Sequence, residues 1–201
     1  RVFTPFWKSC AARLDALPKP TAAPRTINAP ATPVASLALE ELEFEPRIRW
    51  DTGLHQAWNP GEEGALQQLA SFADGALAKY GEGRNRPDRP ETSRLSPHLH
   101  FGEVGPRQCL AAARAAVAGR PAAQASADSL VRELGWREFS HHLLHHFPHT
   151  PTAPLDARFK AFQWATDDAL LEAWQRGRTG YPIVDAGMRE LWTTGWMHNR
   201  V

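Results

Sequence analysis

Beyond residue 60, apolar residues recur with a helical period, and alternation of the strand type is scarce. Leu66, Leu69, Phe72, Leu77 and Tyr80 form the first such series. Asn59-Pro60 opens this predicted helix, and Gly81 and Gly83 end it. Residues 81–105 hold Gly, Pro, Ser and Arg throughout and predict a loop with short turns. Pro106 suits a first helical turn, the Ala-rich residues 107–118 predict a helix, and Gly119 ends it. A long helix is predicted from Ser126 to Phe147, stopped by Pro148. Thr166 predicts the cap of a short helix that contains Asp167 and Asp168 and closes at Gly177. Pro182 starts a further helix and Gly195 ends it. Trp196-Met197-His198-Asn199-Arg200 then predicts the start of another. The predicted class is all-α.

Upstream the pattern changes. Pro18, Pro20, Pro24, Pro30 and Pro33 stand among Ala and Thr, a stiff, extended linker composition. Glu40 to Glu45 is an acidic run that predicts a solvated surface or helix start.

Composition narrows the class. A chain of 201 residues can bury a substantial core in one or two domains. Its net charge of +1 does not signal nucleic acid, so any surface for it must be local. Cys10 and Cys109 cannot make a secreted-type disulfide framework, which points to a reducing, cytoplasmic compartment. No apolar run of membrane length is present, so no membrane partner is expected. Eight Trp against two Tyr predict indoles filling a helical core, with some free to carry electrons or stack on bases.

Several groups could carry chemistry. Glu133, Trp136, Arg137 and Ser140 share one helical face, which Leu144 and Phe147 continue. One reading is a Glu133–Arg137 surface pair at i,i+4, worth about 0.2–0.5 kcal/mol. The other is a cleft wall offering a carboxylate beside an aromatic plate, as an extruded base requires. Base–aromatic stacking is worth about 1–3 kcal/mol. Tyr80, Arg84 and Thr92-Ser93-Arg94-Leu95-Ser96 read either as an ordinary polar turn or as a hydroxyl-rich loop around an anion. Trp164 beside Phe162 reads as a packing residue or a surface electron carrier, and Trp174 as core. His141, His142, His145, His146 and His149 crowd one stretch, with Glu138, His141 and His145 on one face. They read as exposed helical histidines, and no metal site is expected. P-loop, nucleophile-elbow and paired zinc-knuckle motifs are absent.

Three segments carry a family resemblance. Gly177-Arg178-Thr179-Gly180-Tyr181-Pro182-Ile183-Val184-Asp185-Ala186-Gly187-Met188-Arg189-Glu190-Leu191, closing with Gly195-Trp196-Met197-His198-Asn199-Arg200, resembles the flavin-binding helical domain of the DNA photolyase/cryptochrome family. Thr92-Ser93-Arg94-Leu95-Ser96-Pro97 and Glu133-Leu134-Gly135-Trp136-Arg137-Glu138-Phe139 extend the likeness, which covers most of residues 60–201; residues 1–8 also look familial. Within the family, the pattern is most like a class I cyclobutane pyrimidine dimer photolyase.

The resemblance implies residues 1–60 as an inter-domain connection and residues 61–201 as the N-terminal part of the helical FAD-binding domain, incomplete at its C-terminal end. It implies FAD as cofactor, and a folate or deazaflavin antenna on a preceding α/β domain. Damaged DNA is the implied partner of a monomeric lyase. Tyr80 and Thr92, Ser93, Arg94, Leu95 and Ser96 match positions that hold the flavin's phosphates and ribityl chain. Glu133 and Trp136 match the residues that contact the lesion. Arg84, Arg137 and Arg200 match DNA contacts. Asn199 matches the residue at flavin N5, where plant cryptochromes typically carry Asp and animal ones Cys, so it tilts the reading toward repair. Trp164 matches the outermost tryptophan of the family's electron relay. The implied reaction is light-driven electron transfer from reduced FAD to a flipped-out dimer. A cryptochrome photoreceptor is the alternative within the family, and a His-rich metal-binding or interaction module the alternative outside it. Residues 1–201 by themselves are expected to bind FAD poorly and to be inactive.

Overall fold

A computed structural model describes residues 2–32 and 34–201, so the linker reading at Pro33 lies outside the described residues. Among the described residues the regular structure is entirely helical, as the apolar period predicts. Nine α-helices follow in order: α1 Phe3–Ala11, α2 Thr52–Ala57, α3 Glu62–Asp74, α4 Tyr80–Gly83, α5 Ser96–Phe101, α6 Pro106–Val117, α7 Gln124–His146, α8 Asp168–Gln175 and α9 Pro182–Thr194. None is long and apolar enough to cross a membrane. Residues 18–32 lack helix and are mostly exposed, consistent with their proline content.

The ends that proline and glycine mark are where the sequence places them. Pro106 and Pro182 occupy first turns, where a missing N–H leaves no bond unmade. Gly195 closes α9 with φ +71°, and Gly177 turns at φ +60°, both left-handed conformations that glycine adopts without a Cβ penalty. Other boundaries differ. The single helix predicted across Leu66–Tyr80 is broken at Gly75, passes through a 3-10 turn at Ala76–Lys79 and resumes as α4. The break rotates Leu77 and Tyr80 into the core together. The cap of α8 is Asp167, not Thr166: the Asp167 carboxylate accepts the Leu170 N–H at 2.9 Å. After Gly195 the predicted helix is reduced to one turn, closed by Val201 N–H donating to the His198 carbonyl at 3.0 Å.

Two apolar clusters hold the helices. The first joins Phe72, Leu77, Tyr80, Ala113, Val117, Ala123, Ala127 and Leu130, drawn from α3, α4, α6 and α7 and the turns between them. The second joins Ala65, Leu69, Leu95, Val104 and Cys109. Burial pushes the Cys109 thiol up to about 11, which makes it a packing residue rather than a nucleophile. α1 lies on α7: a Cβ on Gly135 would overlap the Trp7 ring, so glycine permits this approach. α2 lies on α9, where a Cβ on Gly53 would overlap the Thr193 carbonyl. The Trp58 indole N–H donates to the Thr194 carbonyl at 2.6 Å across the same contact.

The tryptophans do not fill this core. Trp50, Trp136, Trp164, Trp174 and Trp192 are exposed, and Trp7, Trp58 and Trp196 are only partly covered. Trp174, expected in the core, is 46% exposed on its short helix. Leu, Ala and Phe make the interior instead, and the indoles gather where helices meet solvent.

Asp185 organises the loop before α9. Its carboxylate accepts from Thr179 N–H at 2.7 Å, Thr179 Oγ1 at 2.6 Å and Gly180 N–H at 3.0 Å. The Thr179 hydroxyl bond, against the opposing effect of burial, holds the Asp185 carboxyl below its ordinary value. A depressed folded value means stabilisation that is complete above the unfolded carboxylate value, roughly pH 4, and lost as pH falls below it. Asp185→Asn is therefore expected to lower the melting temperature by several degrees at neutral pH. At pH 3 the gap to the parent protein should shrink. Thermal melts at the two pH values check both parts; a gap that widens in acid would contradict the assignment.

Candidate functional site

The candidate site forms where the turn after α4, the middle of α7 and the segment after α9 meet. Tyr80 anchors it from below. Its ring is 7% exposed, lies edge-on to Phe72 at 5.4 Å, and burial pushes its hydroxyl pKa up. Four residues on, the Arg84 guanidinium stands 5.8 Å from the Tyr80 ring centre and 2.7 Å from Glu133 Oε1. Both side chains are about three-quarters covered. The Glu133–Arg137 surface pair weighed from the sequence does not form. Arg137 instead reaches Glu138 at 3.3 Å and the Leu99 carbonyl at 3.4 Å. An arginine fixed by a neighbouring element at a half-buried junction outcompetes a flexible surface partner, because charge-assisted bonds strengthen as water is excluded.

One helical turn along α7, Trp136 is 44% exposed. Phe3 from α1 stacks on it with ring centres 3.5 Å apart and planes 7° apart, and Phe139 abuts it edge-on at 5.8 Å. The indole is thus a plate backed on one side by Phe3. Ser140 is exposed and donates back to the Trp136 carbonyl. Leu144, on the same stripe, is 45% exposed and does not join the core.

The loop from Thr92 to Ser96 is partly covered until it dives inward at Leu95, which is 1% exposed in the second apolar cluster. Ser96 then opens α5, a helix that the loop reading of residues 81–105 did not foresee. The Ser93 carbonyl accepts from Gln68 Nε2 at 2.9 Å. Arg94 has φ +51°, a strained conformation for a side-chain-bearing residue. Its guanidinium lies between two indoles, 5.2 Å from Trp58 and 4.6 Å from Trp196. Beside it, a hollow of about 290 Å³ is lined by Trp58, Gln68, Arg94 and His98 among others.

Asn199 is exposed, and Arg200 forks onto Asn85 Oδ1 at 2.5 and 3.0 Å. His198, not singled out from the sequence, is 2% exposed and accepts the Arg200 N–H on Nδ1 at 3.1 Å. Burial first, then the Arg200 charge, hold its imidazole below the ordinary value, so the ring is neutral. Three bridges therefore tie the segments together: Arg84 to Glu133, Asn85 to Arg200, and Arg94 to Trp196. Asn85 and Trp58 were also not foreseen; neither residue type marks a site unless its long-range partner is known.

The remaining candidates lie elsewhere. Trp164 is 79% exposed and edge-on to Phe162 at 4.6 Å. His141, His142, His145, His146 and His149 are all exposed, and Glu138, His141 and His145 do not gather within ligand reach of one another.

Arg94 Nε and His198 Nε2 are buried without a well-formed hydrogen bond. Unpaired buried donors each cost about 1–3 kcal/mol. Arg94 Nε, in the loop that carries the hydroxyls of Thr92, Ser93 and Ser96, fits an acceptor-rich anionic cofactor rather than a second protein cation, whereas the His198 ring faces the Arg84 backbone.

Residues 130–201 match the family model of the FAD binding domain of DNA photolyase. A deoxyribodipyrimidine photo-lyase of Agrobacterium fabrum is 43% identical over the whole chain, and cryptochrome-1 of Arabidopsis thaliana is 36% identical. The chain spans 42% of the first and 30% of the second. A solved bacterial class III photolyase from Agrobacterium tumefaciens superposes over all of this chain and 41% of its own, with a TM-score of 0.88 and 42% identity. The chain belongs to the DNA photolyase/cryptochrome family, and its all-α fold is part of that family's FAD-binding domain. The class I likeness read from the sequence stands beside a structural relative of class III, and the family is the level they share.

Proposed function

We propose that the protein carrying this chain is a light-driven lyase that repairs cyclobutane pyrimidine dimers in DNA. The observation that carries the reading is the Arg84–Glu133 pair beside the half-exposed Trp136. Arg84 fixes one carboxylate oxygen of Glu133. The other oxygen is left to accept a hydrogen bond from the edge of an extruded base. Trp136, stiffened from behind by Phe3, offers its remaining surface for stacking. Arg137 and Arg200 supply positive charge for the backbone of damaged DNA, with Arg84 shared between Glu133 and a phosphate.

Tyr80, Thr92, Ser93, Arg94, Leu95 and Ser96 would hold FAD, with Arg94 Nε and the loop hydroxyls turned to its phosphates and Asn199 against the ring edge. When bound and reduced, FAD supplies the photoexcited electron that opens the cyclobutane ring. The chain's own part is to extrude and orient the lesion and to exclude water from it. Trp164 would relay electrons from the surface. Residues 61–201 would be the N-terminal part of the FAD-binding domain, and residues 1–60 the connection to an α/β domain with a folate or deazaflavin antenna. The protein would act as a cytoplasmic monomer.

A photoreceptor is the second reading, supported by the similarity to a plant cryptochrome. The full-length protein with reduced FAD is expected to clear dimers from a damaged oligonucleotide under blue light and not in darkness. Bound reduced flavin with no dimer loss would replace the repair reading with the photoreceptor one.

A further inference from the structure

Away from the flavin face, Glu45, Asp51 and His55 bring a carboxylate, a second carboxylate and an imidazole together, their ligand atoms all within 4.8 Å of one another. Asp51 and His55 are four residues apart, at the cap and on the last turn of α2. His55 Nε2 lies 2.9 Å from Asp51 Oδ2 and 3.7 Å from Glu45 Oε2. Metal–ligand bonds of about 2.0–2.2 Å in a tetrahedron place neighbouring ligand atoms roughly 3.3–3.6 Å apart. The observed pair of distances brackets that edge, so small side-chain rotations suffice.

A second observation is independent of this spacing. The Asp51 side chain is only 9% exposed, and its Oδ1 is buried without a hydrogen bond. The nearest positive group is Arg49, whose Nε lies 3.5 Å from Oδ1 and whose second nitrogen lies 3.4 Å from Glu45 Oε2. The guanidinium spans both carboxylates without completing a bond to Asp51. It sits where a compact cation would sit, and it is itself 58% exposed and free to swing out.

The geometry points to a divalent-cation site of the zinc type at Glu45, Asp51 and His55, with Arg49 as the counter-ion that the metal displaces. One imidazole and two carboxylates suit zinc better than calcium or magnesium, which favour oxygen alone. Three protein ligands leave a fourth position for water. Glu45 belongs to an otherwise exposed acidic stretch, whereas α2 is fixed on α9 through Gly53 and Trp58. A bound metal would therefore clamp the end of the long N-terminal connection to the helical body, a positioning role that does not depend on the repair reading.

The test is zinc titration by calorimetry, and the visible absorption of substituted cobalt, on the full chain carrying His141→Ala, His142→Ala, His145→Ala and His146→Ala to remove the exposed histidines of α7. One equivalent is expected to bind. Glu45→Gln and His55→Ala, both at exposed positions, should each weaken binding by at least about tenfold. Arg49→Gln should strengthen it by removing the competing cation. Absence of binding, or binding unchanged by Glu45→Gln and His55→Ala, would overturn the site. Unchanged circular dichroism in the Glu45→Gln variant separates ligand loss from unfolding.

Discussion

Leu77→Ala is expected to destabilise the protein by about 2–5 kcal/mol. Leu77 is 1% exposed, and its side chain fills the junction of the first apolar cluster, where Phe72, Tyr80, Ala113, Val117 and Leu130 converge. Truncation removes the burial of the side chain and leaves a cavity that four surrounding elements can only partly collapse. Three members of the cluster, Ala113, Ala123 and Ala127, are alanines, which are too short to reach in. The effect should extend to the site, because Tyr80 shares this cluster and Arg84 follows it by one helical turn. Urea denaturation checks the prediction. With a slope of about 1–3 kcal/mol per molar, the midpoint should fall by roughly 1–2 M. Leu66→Ala is the control: Leu66 belongs to the same predicted series yet is 41% exposed, and its truncation should cost under about 1 kcal/mol. Equal losses for the two variants would mean that the core is not where the structure places it.

That contrast also shows what the sequence could reveal. Helical period identifies Leu66, Leu69, Phe72, Leu77 and Tyr80 as one series, but the break at Gly75 decides which of them are buried. Pro106, Gly119, Pro148, Pro182 and Gly195 act through their own backbone chemistry, so the bounds of α6, α7 and α9 were legible to within a few residues. α5 was not: six residues in a Gly/Pro-rich stretch are too few to show a period. α1 was passed over because its apolar residues face α7, a partner more than a hundred residues away. Separation in sequence also hid the partner of Glu133. An i,i+4 arginine is visible in the chain, whereas Arg84 becomes a neighbour only once α4 docks on α7. The tryptophans misled for a different reason. A large side chain with one polar atom is equally at home half-buried at a helix junction, and burial cannot be read from residue type alone. Motifs also do not name the contacts between segments: Arg94 of the 92–96 loop meets Trp196, Arg200 meets Asn85, and α7 is tied in through Arg84 and Glu133.

Trp136→Ala is expected to weaken binding of dimer-containing DNA by roughly 5- to 150-fold, the equivalent of about 1–3 kcal/mol of lost base stacking. The full-length protein with flavin bound is the material for the measurement, read by equilibrium binding to damaged and undamaged duplexes. Loss should be confined to the damaged duplex. In the proposed reading undamaged DNA would be held through phosphates by Arg137 and Arg200, and its affinity should keep the same dependence on salt. Trp136→Phe should recover part of the loss, since a smaller ring still stacks on Phe3 and still presents a flat face. The parent geometry supplies the reason for a large effect. Phe3 lies parallel to the indole at 3.5 Å and Phe139 blocks its edge at 5.8 Å, so the plate is ordered before any base arrives and little entropy is lost on stacking. Removing the indole also bares Phe3, which is 5% exposed in the parent protein. A thermal melt is needed beside the binding curve for that reason. If the variant melts like its parent and binds both duplexes as its parent does, Trp136 is a packing residue for α1 and the lesion-docking role assigned to this face of α7 is wrong.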